Sequence, residues 1–125
     1  MAYKTTWKNK GILWEFSGII SFQEIYNSNT QFFNDGRSDF IRYQILDGLN
    51  IEKLLLNDDD IIYISALNKG ASFSLQPLKV ALVSKNSQVK VIYQNYINTS
   101  KKFKVNWSFE IFENLENAQS WVKLP

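Results

Sequence analysis

Cysteine and histidine are both absent from this chain of 125 residues. Without cysteine the chain has no disulfide, no thiol nucleophile and no thiolate metal ligand. Without histidine it lacks the side chain that serves most often as a general base and as a metal ligand, which also excludes Ser-His and Cys-His nucleophile pairs. Catalysis would have to depend on carboxylates, lysine or tyrosine, so we expect a protein that is not an enzyme and that carries no cofactor and no metal.

A long apolar run is missing as well. No stretch approaches the roughly 20 residues of a membrane-spanning helix, and the opening residues MAYKTTWKNK are too polar for a signal peptide. The lack of cysteine gives no sign of an oxidising compartment. We therefore expect a cytoplasmic protein without a membrane span.

Charge of one sign is not in large excess either. The chain carries 14 basic and 12 acidic side chains, a net charge of +2, which does not indicate a nucleic-acid partner. The segment Lys101–Lys104 with Trp107 nearby is similar to a basic-aromatic nucleic-acid patch. One short run of this kind is more often a solvated loop, so we expect no nucleic acid among the partners.

Aromatic side chains, by contrast, are abundant. They make up 15% of the residues, and apolar residues together make up 45%, which is enough to fill one hydrophobic core. No linker, repeat or low-complexity tract divides the chain. We expect residues 1–125 to form a single domain whose aromatic residues either fill the core or form a contact surface.

Hydrophobic periodicity predicts strands and helices in the order β-β-α-β-α-β-α-β-α. The strands are predicted at residues 3–8, 12–17, 40–46, 79–84 and 107–112. Each helix follows a residue suited to cap it, and Glu24 completes a capping box for the first. These N-caps are Ser21, Asn57, Asn86 and Asn114.

The order of elements predicts how the strands pair. Asn9 and Gly11 suit a tight hairpin, so the first strand should run antiparallel to the second. Strands joined through single helices run parallel by right-handed crossovers, so strands two to five should form a parallel set. Asp47-Gly48 is expected to end the central strand, with a loop from there to Leu56. The predicted fold class is α/β with a mixed five-stranded sheet.

Several strings of the sequence point to a known family. They are YKTTW, WEFSG, RYQILD, VALVS and ENAQSWV, in this order along the chain. Together with the opening hairpin and the Asp-containing stretch after the central strand, they give a chain that resembles the SpoIIAA-like branch of the STAS (sulfate transporter and anti-sigma factor antagonist) family, especially its short uncharacterised bacterial members. The resemblance covers nearly the whole chain and implies a SpoIIAA-like fold that works by binding a protein or a small ligand.

The resemblance also draws attention to the start of the second helix. The family's anti-sigma antagonists carry a phosphorylatable serine there, whereas residues 46–61 read LDGLNIEKLLLNDDDI, without serine or threonine. Asp58, Asp59 and Asp60 stand at this place, where negative charge suits the helix dipole. A metal site is disfavoured because successive helix residues do not share a face. One hypothesis is that the three carboxylates imitate a phosphate permanently.

A ligand or partner rim is predicted where the parallel strands end, because ligands of open α/β sheets collect at the carboxyl ends of the strands. The alternative is that these polar residues only end strands and cap helices, which is ordinary turn chemistry. The predicted rim consists of Ser17, Asp47, Gly48, Ser84, Lys85 and Asn86, with Glu113 beside it.

An apolar pocket is the second predicted site. Aromatic residues at helical spacing either line a cavity for an apolar ligand or are buried core residues, and core packing is the more common outcome. The residues predicted for the pocket are Phe22, Tyr26, Phe33, Phe73 and Tyr93, with Phe32 and Tyr96 near them.

Two functions therefore lead. The first is a non-catalytic regulatory or protein-interaction module with a protein partner, and the alternative is a carrier or sensor of a small apolar, lipid-like ligand. A third reading, an enzyme that uses Glu15 or Glu110 with Asp47, rests on residue type alone. A homodimer is a further expectation, because Trp7, Trp107 and Trp121 exceed what a domain of this size must bury.

Overall fold

Strands and helices alternate along residues 3–125, the part of the chain that this computed structural model describes. A short 3₁₀ turn, Gly36–Phe40, precedes the central strand. The strands are β1 (Tyr3–Trp7), β2 (Gly11–Ser21), β3 (Tyr43–Leu55), β4 (Lys79–Val83) and β5 (Ser108–Phe112). The helices are α1 (Phe22–Asn34), α2 (Asp58–Ala71), α3 (Ser87–Lys102) and α4 (Leu115–Val122).

The five strands form one sheet in the spatial order β1-β2-β3-β4-β5. β1 pairs antiparallel with β2, and every other neighbouring pair is parallel. Three right-handed crossovers that all advance in the same direction place their helices on the same face of the sheet, so α1, α2 and α3 share one face. The predicted α/β class, element order and mixed sheet are confirmed.

Each face of the sheet has its own core. On the face that α1 and α3 cover, Trp14 and Phe32 pack with Leu82 and Val89. On the opposite face, smaller side chains of β3 and β4 pack against Ala118 and Val122 of α4. The helices thus bury aromatic and branched residues on one face and mostly small or β-branched residues on the other.

The helix starts agree with the capping predictions. Ser21 accepts the Glu24 amide while Glu24 accepts the Ser21 amide, and Asn57 exchanges the same pair of bonds with Asp60. Asn86 and Asn114 cap α3 and α4. Side-chain oxygens at these positions satisfy amides that have no partner within the helix. The first turn of each helix is therefore fixed by local sequence.

The central strand differs from its prediction at both ends. β3 begins at Tyr43 rather than Phe40, which lies in the 3₁₀ turn and is 77% exposed. It also continues to Leu55, so the predicted loop after Asp47-Gly48 is wrong. The reason is that β2 is long as well, and the two strands pair as far as Ser21 and Leu55. Two irregularities of register interrupt this pair, one of them beside Gly18, whose φ is 79°.

The predicted basic loop Lys101–Lys104 also needs correction. Lys101 and Lys102 form the last turn of α3, and only Phe103 and Lys104 follow it. Basic side chains suit the negative end of the helix dipole, which is why the helix extends this far. Within residues 3–125, no helix is both long enough and apolar enough to cross a membrane.

Candidate functional site

Two neighbouring strands bring part of the predicted rim together. Asp47 in β3 lies opposite Val83 in β4, and Ser84 follows directly. A Cβ atom at Gly48 would collide with the Tyr93 hydroxyl and lie 2.8 Å from the Val83 carbonyl oxygen, so this position requires glycine. The Tyr93 hydroxyl donates to the same carbonyl at 3.3 Å. Burial, and secondarily the charge of Asp47, raise the pKa of Tyr93, which keeps it a neutral phenol.

The polar side chains of this cluster are satisfied by local turns and caps. Asp47 accepts the Leu49 amide at 3.0 Å. Ser84 Oγ accepts the Asn86 amide at 3.0 Å, and the Asn86 side chain accepts two amides in the first turn of α3. These hydrogen bonds shape the backbone at the strand ends. They are the contacts that the turn-and-cap alternative requires.

The remaining rim residues lie at the surface. Ser17 is exposed in the middle of β2, opposite Asn50, rather than at the end of that strand. Lys85 is exposed directly after β4. Glu113 forms an ion pair with Lys90, which lowers the pKa of the Glu113 carboxyl. The rim thus consists of a buried part near Tyr93 and separate exposed side chains, and it stays a prediction as a binding site.

The carboxylates considered for catalysis differ in burial. Glu15 lies opposite Asp47 across β2 and β3, but Asp47 is buried and Glu15 is exposed. Glu110 lies on β5 opposite Ala81 and is exposed. Residues 3–125 contain no group of three or more side chains that could hold a metal ion.

The five residues predicted to line an apolar pocket are not brought together. Phe22 and Tyr26 lie near the start of α1, whereas Phe33 lies near its end. Phe73 follows α2 and is 79% exposed. Tyr93 alone of the five lines the cavity between the sheet and the helices.

That cavity has a volume of about 80 Å³. Pockets for drug-sized or lipid-sized ligands usually measure roughly 300–1,000 Å³. A water molecule occupies about 30 Å³ in the liquid, so the space suits a few waters or a molecule of a few heavy atoms. Most of its lining is apolar and comes from β3, β4 and the three helices of this face, including Ile25, Leu46, Leu54, Ile61, Ile64 and Leu82.

Two buried polar atoms at this cavity have no hydrogen-bond partner among residues 3–125. They are Asn68 Oδ1 and Trp107 Nε1, an acceptor and a donor, and both residues line the cavity. Asn68 is 2% exposed and Trp107 7% exposed. The Asn68 amide nitrogen donates to the Tyr96 hydroxyl, and burial raises the pKa of Tyr96. An unsatisfied buried polar group is costly, so the cavity offers a guest one acceptor and one donor.

A surface groove separates the N-terminal halves of α1 and α2, and we call it the α1–α2 groove. Phe22, Tyr26 and Tyr63 line it, with ring centroids 5.8 to 6.1 Å apart. Tyr63 is 49% exposed. Asp59 and Asp60 form its rim. Phe22 and Tyr26 are half-buried. Aromatic rings that reach the surface beside carboxylates are typical of a contact surface rather than of a core.

The carboxylates at the start of α2 are held in place without cationic partners. Asp60 accepts the Asn57 amide at 3.1 Å as part of the capping box. Asp58 accepts the Asn95 amide group at 3.0 Å. Among residues 3–125, no ion pair involves Asp58, Asp59 or Asp60. Their negative charge is therefore available to a binding partner.

The sequence carries a signal for two residues of these candidate sites that the sequence analysis does not name. Tyr63 does not lie on the inward stripe of α2 and stands just after the acidic first turn. A large aromatic residue at such a position is expected to be exposed. Asn68 lies on the stripe of Ile61 and Ile64, where a polar residue indicates a buried hydrogen-bonding role. Only the fold shows that Tyr63 lies against Phe22, and that Asn68 and Trp107 line the same cavity.

The comparisons with known proteins bear on the fold. No family model matches the sequence, and no curated protein matches it. Among solved structures, the chain is similar to an uncharacterised protein of the DUF3478 family from Shewanella loihica PV-4, described as having a SpoIIAA-like fold. The likeness has a TM-score of 0.57 at 11% identity and covers 97% of this chain and 92% of that one. The SpoIIAA-like fold predicted from the sequence is confirmed.

Proposed function

We propose that this chain is a non-catalytic protein-interaction module of regulatory type that binds a basic, partly apolar segment of a partner protein in the α1–α2 groove. The observation that carries the proposal is a surface cluster of the half-buried Phe22 and Tyr26 with the exposed Tyr63, beside Asp59 and Asp60. A SpoIIAA-like fold is compatible with such a role. The lack of cysteine and histidine supports a non-catalytic protein of the cytoplasm.

The shape of the groove supports a peptide-like occupant. Its three rings come from two helices and pack against each other, so their positions are fixed before a partner binds. Rigid aromatic side chains lose little entropy on binding and are frequent among residues that dominate interface affinity.

The charge of the groove supports a cationic occupant. Asp58, Asp59 and Asp60 lie in the first turn of α2, where negative charge suits the helix dipole. A lysine or arginine of the partner would meet this charge next to the aromatic rings, which also attract cations. In this proposal the three aspartates form a permanently negative binding site for the partner. The chain that carries it is a single domain.

Selection of peptides from a random library on the immobilised chain tests the proposal. We expect the selected peptides to combine lysine or arginine with a large apolar residue. Phe22→Ser with Tyr63→Ser should weaken their binding by about 100-fold, the effect of losing two dominant interface contacts. Val91→Ser, at a residue that is 69% exposed on α3, is the matched control and should leave binding unchanged.

The proposal fails if the selected peptides bind the Phe22→Ser, Tyr63→Ser variant as tightly as the parent chain. It also fails if sedimentation finds a dimer of the parent chain that the Phe22→Ser, Tyr63→Ser variant does not form, since a second copy would then be the occupant of the groove. Of the tryptophans on which the expectation of a homodimer rests, Trp107 is buried, and Trp7 is half-buried and stacks on Phe32 with ring centroids 6.2 Å apart.

A second candidate function, ligand sensing, is favoured by the unpaired Asn68 Oδ1 and Trp107 Nε1. The small cavity suits a compact neutral molecule with one donor and one acceptor rather than a lipid-like chain. Titration with N-methylacetamide as the probe should shift the Trp107 indole N–H resonance. Asn68→Leu removes the acceptor and should abolish the shift, whereas a shift of equal size in the variant would contradict this second candidate.

A further inference from the structure

The end of the molecule opposite the groove is strongly basic. Four connections meet there: the β1–β2 turn and the segments between each of α1, α2 and α3 and the strand that follows. The chain after α4 ends at the same place, because the Lys79 ammonium at the start of β4 donates to the Leu124 carbonyl at 2.7 Å. We call this region the basic end. Its cationic side chains are Lys8, Lys10, Arg37, Arg42, Lys69, Lys79, Lys101, Lys102, Lys104 and Lys123.

Hydrogen bonds connect several of the segments that carry these residues. The Arg42 amide donates to the Lys10 carbonyl at 2.6 Å, and the Lys79 amide donates to the Arg42 carbonyl at 3.0 Å. The Lys69 ammonium donates to the Lys104 carbonyl at 3.0 Å. The hairpin turn and the starts of β3 and β4 are thus joined in a row, and the ends of α2 and α3 meet beside it.

The small net charge of the chain conceals this polarity. Ten of its 14 basic side chains but only two of its 12 carboxylates, Asp35 and Asp39, lie at the basic end, a net charge of +8. The other four basic and ten acidic side chains give −6 to the rest of the molecule. Asp35 is paired with Arg37 at 2.7 Å. Charges of one sign gathered on one surface create a field that attracts a polyanionic partner.

Large apolar side chains protrude from the same end. Phe40 and Phe73 are 77% and 79% exposed, Leu124 is 59% exposed and Phe103 is 36% exposed. Phe40 ends the 3₁₀ turn, and the other three each follow a different helix. Lysines flank Phe103, Lys123 precedes Leu124, and the Lys69 ammonium lies 4.8 Å from the centre of the Phe73 ring. These tips are spread over the end rather than gathered in a groove.

We propose that the basic end binds the surface of an anionic lipid bilayer, with its apolar tips inserted among the lipid headgroups and its lysines and arginines against the lipid phosphates. Basic residues near a negative leaflet gain about 1 kcal/mol each, and apolar side chains gain by entering the headgroup–acyl boundary. A bilayer matches both features, since separate tips can insert side by side into a plane. The bases of a nucleic acid stack on aromatic rings, so a nucleic acid would not use the aliphatic side chain of Leu124.

The orientation that follows is consistent with the α1–α2 groove. An anionic surface attracts the basic end and repels the acidic remainder of the chain. The groove lies at the opposite end, where α1 and α2 begin, so it would face the solvent. The membrane proposal does not depend on the function proposed for the groove, because it rests on different residues.

Vesicle co-sedimentation tests the proposal. We expect the chain to bind mixed phosphatidylcholine–phosphatidylglycerol vesicles, to leave pure phosphatidylcholine vesicles unbound, and to dissociate as salt is raised. Lys101→Gln with Lys102→Gln should lower the partition coefficient about 25-fold, since 1 kcal/mol per residue is roughly fivefold. Lys53→Gln with Lys85→Gln makes the same change of net charge away from the basic end and should have no such effect.

A second pair of variants separates insertion from simple charge attraction. Phe40→Ser with Phe73→Ser should weaken binding by about tenfold or more, because the variant lacks two apolar side chains whose transfer from water into the bilayer is favourable. Ile62→Ser with Val91→Ser is the matched control. The proposal is overturned if anionic vesicles are not bound at low salt, if the control pairs weaken binding as much as the test pairs, or if single-stranded DNA is bound and vesicles are not.

Discussion

The two ends of this molecule are built from the same secondary structure and carry opposite surfaces. At the acidic end α1 and α2 begin, and three aromatic rings meet in one groove beside Asp59 and Asp60. At the basic end the helices finish, and single apolar side chains protrude among ten cationic ones. A compact aromatic cluster suits a short segment of a partner, whereas dispersed tips suit a flat surface. The difference shows how one fold can present two unlike contact surfaces.

Helix dipoles explain why the charges separate in this way. Acidic side chains are stabilised near helix N-termini and basic ones near C-termini. Asp58, Asp59 and Asp60 lie in the first turn of α2, and Lys101 and Lys102 lie in the last turn of α3. Because parallel crossovers align α1, α2 and α3, the local preferences of the separate helices add up over the whole molecule.

The acidic end depends on the long β2–β3 pair, so a change there should have the largest effect. Gly48→Ala places a Cβ against the Tyr93 hydroxyl and the Val83 carbonyl oxygen. We expect a loss of roughly 3 kcal/mol in the free energy of unfolding, the upper part of the range for overpacking. Urea denaturation measures it. Gly36→Ala, at the basic end with open space around its Cβ, is the control and should change stability little.

A smaller loss is expected at the N-cap of α2. Asn57→Ala removes the acceptor of the Asp60 amide at 2.8 Å and leaves a helix start unsatisfied. The unfolding free energy should fall by about 1 kcal/mol. Thermal unfolding checks this, with Asn98→Ala on the exposed surface of α3 as control. Equal stability of Asn57→Ala and the parent chain would mean that the acidic end does not depend on this cap.

The smallest effect is expected at the basic end, from Asp35. Hydrogen bonds from Arg37 lower the pKa of Asp35 to about 2. A carboxyl whose pKa is lowered in the folded state contributes stability above its unfolded pKa, and that contribution is lost as the pH falls toward 2. Between pH 4 and pH 2, Asp35→Asn should therefore lose less stability than the parent chain. Identical pH profiles of the melting temperature would contradict this.

Part of this contrast was predictable from the sequence, and part was not. The caps Ser21, Asn57 and Asn86 gave the helix starts because capping is a local property. Asp47-Gly48 was interpreted as the end of a strand because local chemistry cannot show that β2 pairs onward to Leu55. Gly48 is needed for the close approach of Tyr93, a contact across 45 positions of sequence that no local pattern contains.

The candidate sites, like the fold, could be predicted from the sequence only in part. A net charge of +2 does not indicate a polyanionic partner, although the positions of the lysines relative to the predicted helix ends already contain the polarity. Phe22 and Phe73 were grouped as lining one pocket because both are aromatic residues on or beside helices. In the folded chain they belong to opposite ends, since one begins α1 and the other follows α2.

The central claim is that the α1–α2 groove is the protein-binding surface. Amide chemical-shift mapping with a peptide selected on the intact chain tests it most directly. We predict shifts concentrated at residues 22–26 and 58–63, with the basic end unchanged. Shifts confined to the basic end, or to the strand ends near Asp47 and Ser84, would contradict the assignment of the groove.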